Sequence, residues 1–139
     1  MVVPFVTLDG EGRPHPMLLS YLEIRAYDAK TFGLVIQARS GSARNLMERG
    51  VGTLVVVEPE AVVYVKTRAL DGPLPVPGGE EAGLGYFLLE VEEVLEDAAA
   101  DWEAGMRITG AARYQPAPTL EEPWARATLG ALAAPRARA

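Results

Sequence analysis

Apolar and polar positions alternate with a period near two along much of this chain, the spacing of half-buried strands rather than of helices. Val2 to Leu8 is a β-branched and aromatic run closed by Asp9-Gly10-Glu11-Gly12, a hairpin signal. Arg13 to Tyr21 reads as the returning strand, with Pro14 and Pro16 suiting an edge or a bulge. After a turn at Tyr27-Asp28-Ala29-Lys30, a third strand is expected over Thr31 to Gln37. Thr53 to Val57 is apolar enough for a central strand, and Val62 to Leu70 and Gly85 to Leu95 are the fifth and sixth. The glycines and prolines of Asp71 to Gly83 predict a loop, Asp97 to Gly105 a turn or one helical turn, and Met106 to Tyr114 a last strand.

Two segments break the period. Ala43 to Arg49 reads as a short helix with Ser42 as N-cap and Gly50 as its stop. Thr119 to Ala133 reads as a C-terminal helix, capped by Thr119 with Glu121 and Glu122 in the first turn. Residues 134–139 are expected to be flexible. The pattern therefore predicts a mainly β fold: a six- or seven-stranded antiparallel barrel, with a short helix after the third strand and a helix at the end. A length of 139 residues suits one domain, residues 1–139.

Composition narrows the chemistry. There is no cysteine, which excludes disulfides, thiolate catalysis and cysteine metal sites. The single histidine, His15, excludes any site needing two from one chain. The net charge of −6 argues against nucleic acid and anionic membranes as partners. No apolar run of spanning length exists and no basic segment precedes an apolar one at the start, so a cytoplasmic protein is expected. The charge is uneven: residues 1–57 carry six basic and five acidic side chains, residues 58–139 seven and fourteen. A small-anion site is therefore expected in the first half.

Arg39-Ser40-Gly41-Ser42-Ala43-Arg44-Asn45 fits that expectation. It sets two guanidiniums and two hydroxyls at a helix start, where free backbone N–H groups and the dipole favour an anion such as a phosphate ester. The same spacing also fits a capped helix with solvated arginines. His15 and Tyr21 are the candidate proton donors, and surface or strand-pairing roles are the plainer readings of both. Glu23 and Asp28 lie near a turn without a pairing signal, and Trp102 and Trp124 are expected at the core or a subunit contact.

The order of these segments resembles the pyridoxamine 5′-phosphate oxidase-like, FMN-binding split-barrel superfamily. The resemblance rests on Val-Thr-Leu-Asp-Gly-Glu-Gly-Arg-Pro-His-Pro, a strand ending Leu-Leu-Ser-Tyr, a strand ending Val-Ile-Gln-Ala-Arg-Ser, and Ser-Ala-Arg-Asn-Leu-Met-Glu-Arg-Gly. It covers about residues 3–70. It implies a homodimer with FMN at the subunit interface and flavin-dependent oxidoreductase chemistry on an unassigned small molecule. Arg39, Ser40, Ser42 and Arg44 would hold the phosphate. Met17, Leu18, Leu19, Ser20 and Tyr21 would line the isoalloxazine, and Gln37 would reach its edge or the ribityl chain. The Arg-rich C-terminal segment of true pyridoxamine phosphate oxidases has no counterpart here, so that activity is not expected. The alternatives are a related dimer holding a deazaflavin or haem, and a cofactor-free structural or interaction dimer.

Arginine outnumbers lysine eleven to two and Asn45 is the sole asparagine, a usage that fits a thermophile and equally a GC-rich genome. If heat selected it, thermal unfolding followed by circular dichroism will show a midpoint above about 60 °C.

Overall fold

A computed structural model describes residues 1–98, 101–103 and 105–138. Seven antiparallel strands form one sheet: β1 (Val2–Leu8), β2 (Pro14–Ser20), β3 (Ile24–Ala26), β4 (Thr31–Gln37), β5 (Val51–Glu58), β6 (Ala61–Pro75) and β7 (Leu84–Glu96). Helix α1 spans Gly41–Arg49 and α2 spans Pro123–Ala131. The sheet order is β2-β1-β5-β6-β7-β4-β3, so β2 and β3 are its two edges. Yet only Tyr21–Glu23, a single 3-10 turn, separates them in the chain. Four Cα steps reach at most about 14 Å, so the sheet must roll until its edges nearly meet. No ladder joins β2 to β3. The result is a barrel left open along one seam, a split barrel.

The core confirms the roll. Val3 and Phe5 of β1, Leu19 of β2, and Phe32, Leu34 and Ile36 of β4 belong to one buried cluster, although four strands separate β2 from β4 in the sheet. Burial alternates along β1, as one buried face requires. β4 is buried on both faces. Its outer residue Val35 packs with Tyr86, Ala131 and Leu132 beneath α2, in a second cluster.

Asp9 builds the first hairpin by accepting the Glu11 and Arg13 amides on Oδ1, both at 2.9 Å. These bonds hold its carboxyl below the ordinary range. α1 closes the barrel with Ala43 and Leu46, and Asn45 Nδ2 donates to Thr7 Oγ1 of β1 at 3.0 Å, a buried bond.

Several expectations need correction. The helix after the third expected strand follows β4, because the three-residue β3 is too short to show a period. The expected strand over 106–114 does not form. β1 is already flanked by β2 and β5, and Gly110 interrupts an exposed stretch whose tie to the sheet is Val2 N–H donating to the Ala112 carbonyl at 2.8 Å. The loop expected from Asp71 begins later, since β6 runs on to Pro75. Beyond Arg68, opposite Val51, β6 has no ladder to β5, and prolines are tolerated on a strand with one free side. α2 starts at Pro123, not after Thr119: proline suits the first helical position and keeps Glu122 extended at the cap. Residues 101–103 form a 3-10 turn within the segment 97–105; residues 99, 100 and 104 lie outside the described residues. Trp102 is 82% exposed in the single chain, which places it outside the core; its expected alternative place at a subunit contact is a matter of the dimer.

The C-terminal tail makes three contacts with the sheet. Arg136 N–H donates to Tyr86 Oη at 3.1 Å, its guanidinium lies 5.3 Å from the centre of that ring, and Arg138 N–H donates to Asp71 Oδ2. Ala139 lies outside the described residues.

Gly52 gives a test of the core. A Cβ there would overlap the Phe5 ring, which is fully buried. Gly52→Ala is expected to destabilise the fold by about 1–3 kcal/mol in urea unfolding, as overpacking does. Phe5→Leu, which opens that space, will reduce the increment caused by Gly52→Ala.

Candidate functional site

The seam is where the site forms. Met17 and Leu18 of β2 stand on one side, and Val35, Ile36 and Gln37 of β4 on the other. Between them lies a cleft of about 400 Å³, within the range of small-molecule sites. Ser40 lines one part of it, while Glu23, Leu84 and the α2 residues Trp124 and Thr128 complete the wall.

At Ser40 the chain turns from strand to helix. Ser40 N–H donates to the Gln37 carbonyl at 3.1 Å, and Ser40 Oγ accepts the Ala43 amide at 3.1 Å. Ser40 is therefore the N-cap, two residues before the expected Ser42. It holds the extended backbone a cap needs, whereas Ser42 lies inside the helix and is buried. The Ser40 carbonyl takes the Arg44 amide, which leaves the Gly41 and Ser42 amides without partners among the described residues. Arg39 and Arg44 are exposed and form no ion pair among the described residues. His15 packs over Gly41: a Cβ there would lie 3.3 Å from its Cε1 and Nε2 and 4.0 Å from Arg44 Nη2. Two free amides, two unpaired guanidiniums and an imidazole thus share the start of α1.

The other expected residues divide. Met17, Leu18, Gln37 and Ser40 line the cleft. The Leu19 side chain points into the barrel core, and Ser42 is buried in α1, where its amide rather than its hydroxyl is placed for an anion. Ser20 caps the 3-10 turn in a capping box with Glu23, and its Oγ is buried there. Tyr21 faces a separate hollow beside Met1 and Glu58. It donates to Glu58 Oε1 at 2.7 Å, and burial together with that carboxylate pushes its phenol up to about 12. Such a phenol stays protonated at neutral pH, away from the cleft.

Sequence reasoning missed Glu23, Leu84, Trp124 and Thr128. For Glu23 a signal existed: Ser20-Tyr21-Leu22-Glu23 spells Ser-x-x-Glu, the spacing in which the glutamate reaches back to the cap amide. Glu23 Oε2 does accept the Ser20 amide, at 3.3 Å. For Trp124 and Thr128 the signal was weaker. Ala125, Thr128 and Ala131 mark the buried face of α2, but nothing in their spacing says which strands that face covers.

Burial lifts the Glu23 carboxyl above the ordinary range, and the Ser20 amide offsets this in part. An acid whose pKa is raised on folding keeps its proton longer in the folded state. Its contribution to stability is then lost as pH rises from the unfolded value through the folded one. Glu23→Gln is therefore expected to be more stable than the parent at pH 7, with the advantage vanishing below about pH 4. Urea unfolding of both proteins across this window checks it.

No family model matches the chain, and no curated protein sequence does. Solved structures do match. An F420 reductase superposes with a TM-score of 0.55 at 14% identity, covering 68% of this chain and 89% of its own. A protein from Lactobacillus delbrueckii, provisionally named a pyridoxamine 5′-phosphate oxidase, gives 0.56 at 16% identity over 68% and 83%. An FMN-binding protein from Syntrophomonas wolfei gives 0.56 at 9% identity over 70% and 78%. At such identities the likeness is one of fold: the chain has the split-barrel architecture of pyridoxamine 5′-phosphate oxidase-like and flavin-binding proteins.

Proposed function

We propose that this chain is a cytoplasmic FMN-binding protein that works as a homodimer, with the flavin in the seam cleft. The observation that carries the reading is the arrangement at the start of α1. The Gly41 and Ser42 amides stand free beside Ser40, where an apolar-walled cleft of flavin-compatible volume ends, Arg44 lies against Gly41, and exposed Arg39 immediately precedes Ser40 in the chain. A phosphate monoester needs that donor set. Ser40 fits as well: its Oγ accepts the Ala43 amide, and its hydroxyl proton remains free to donate to a phosphate oxygen. Met17, Leu18, Val35 and Ile36 offer apolar surface to a flat ring system, and Gln37 offers an amide to its polar edge.

FMN, when bound, supplies hydride and single-electron chemistry. The chain's own residues anchor the phosphate, orient the ring and exclude water from one face. His15, next to the anchor, balances phosphate charge when protonated. The likeness to an F420 reductase favours a deazaflavin as the second reading, since that cofactor also joins a planar ring to a phosphate.

Flavin fluorescence during titration, together with molar mass in solution, tests the proposal. Binding in the micromolar range or tighter to a dimer is expected. The Arg39→Ala, Arg44→Ala double variant should bind at least about a hundredfold more weakly, from charged hydrogen bonds of about 1.5–3 kcal/mol each. Unchanged affinity in that variant would refute the anchor. Absence of FMN binding, with F420 bound instead, would move the chain to the deazaflavin reading.

A further inference from the structure

Among the described residues that wall the seam cleft, Glu23 alone carries an ionisable side chain. It is half-buried and forms no ion pair among the described residues. Its Oε2 accepts the Ser20 amide, which holds the carboxyl group at the turn, and its Oε1 has no hydrogen-bond partner among the described residues. The cleft also has a direction. His15 packs over Gly41 at the anchor end. From His15, β2 runs on to Ser20, a distance of roughly 16 Å at the ordinary strand rise. The turn that carries Glu23 follows directly, so it stands at the end of the cleft away from α1. With a phosphate beside Ser40, the ring system of the same molecule extends toward Glu23.

We infer that Glu23 reads the ring edge of the bound flavin: its carboxylate accepts the N3–H and makes the cleft hold the oxidised ring more tightly than the reduced one. This inference rests on the flavin reading. An ionised carboxylate only accepts, so it selects a ring edge that donates. The pyrimidine edge of a flavin carries such a donor at N3, whereas the dimethylbenzene edge offers none and suits apolar surface such as Met17 and Leu18. A charge-assisted bond in a half-buried wall counts for more than one in open water. Reduction of FMN adds two electrons and a proton at N5, and leaves negative charge on the N1 and C2 carbonyl side unless a second proton follows. A carboxylate at the neighbouring edge repels that charge, and no lysine, arginine or histidine among the described residues walls the cleft to offset it. Glu23 thereby becomes a specificity-determining residue, for the ring edge and for its oxidation state.

The test uses the full chain with FMN and with FMN methylated at N3, at pH 7. Midpoint potentials come from absorbance titration with dithionite against a reference dye. Glu23→Gln keeps the length of the side chain and an acceptor for the Ser20 amide, and removes the charge. The preference for oxidised over reduced FMN should fall about tenfold in Glu23→Gln, which raises the potential of the bound flavin by about 30 mV. The parent should bind N3-methylated FMN about tenfold more weakly than FMN. A merely structural role for Glu23 moves neither quantity. Equal potentials in parent and variant, or equal affinity of the parent for the two flavins, would overturn the inference. Should Glu23→Gln fail to fold, the comparison of the two flavins on the parent still decides. If FMN does not bind the parent at all, the flavin reading falls and takes this inference with it. If FMN binds and neither quantity moves, the inference falls and the flavin reading stands.

Discussion

The three-residue turn Tyr21–Glu23 is the constraint on which the rest of this structure depends. It joins the two edges of a seven-stranded sheet, so the sheet cannot lie flat. It also gives β2 and β3 no shared ladder, so the barrel cannot seal. A rolled but unsealed sheet has one place where side chains face each other without backbone pairing, and the cleft forms there. α1 and α2 are the consequences: one fills the barrel from the β1 side, and the other covers the outer face of β4 that the roll leaves apolar.

The electrostatics follow the same line. At the α1 side of the seam, free amides, Arg44 and His15 gather at Gly41, next to Ser40. At the turn, Glu23 and Glu122 stand without counter-ions.

Much of this was legible in the residues themselves. Apolar runs such as Thr31–Gln37 and Thr53–Val57 announce strands because they are rich in β-branched and other apolar residues. The Arg39–Arg44 loop announces a helix start because its capping chemistry is local. What stayed hidden depends on tertiary context. Met106–Tyr114 carries a strand-like spelling, but β1, the strand it touches, is already paired on both sides. Pro73 and Pro75 spell a loop, yet they sit on a strand with a free side. The choice of Ser40 over Ser42 as cap depends on where β4 ends, because both serines are chemically suited. Trp124 joined the site because α2 docks on β4, which a helix's own periodicity cannot state.

The ladders also set an order in time. β1 pairs with β5, so Phe5 meets Leu54, and β4 pairs with β7, so Phe32 meets Leu89. Contacts this distant along the chain must close large loops before they return any stabilisation, which puts folding in the slow, topology-limited regime. The first fifty residues contain β1 to β4 and α1, and with them the Ser40 end of the groove. Without β5, β6 and β7 nothing in that stretch holds β1 and β4 on opposite sides of a barrel. The groove is therefore absent from any nascent or proteolysed N-terminal piece, and ligand capture becomes a report on completed folding of the whole chain.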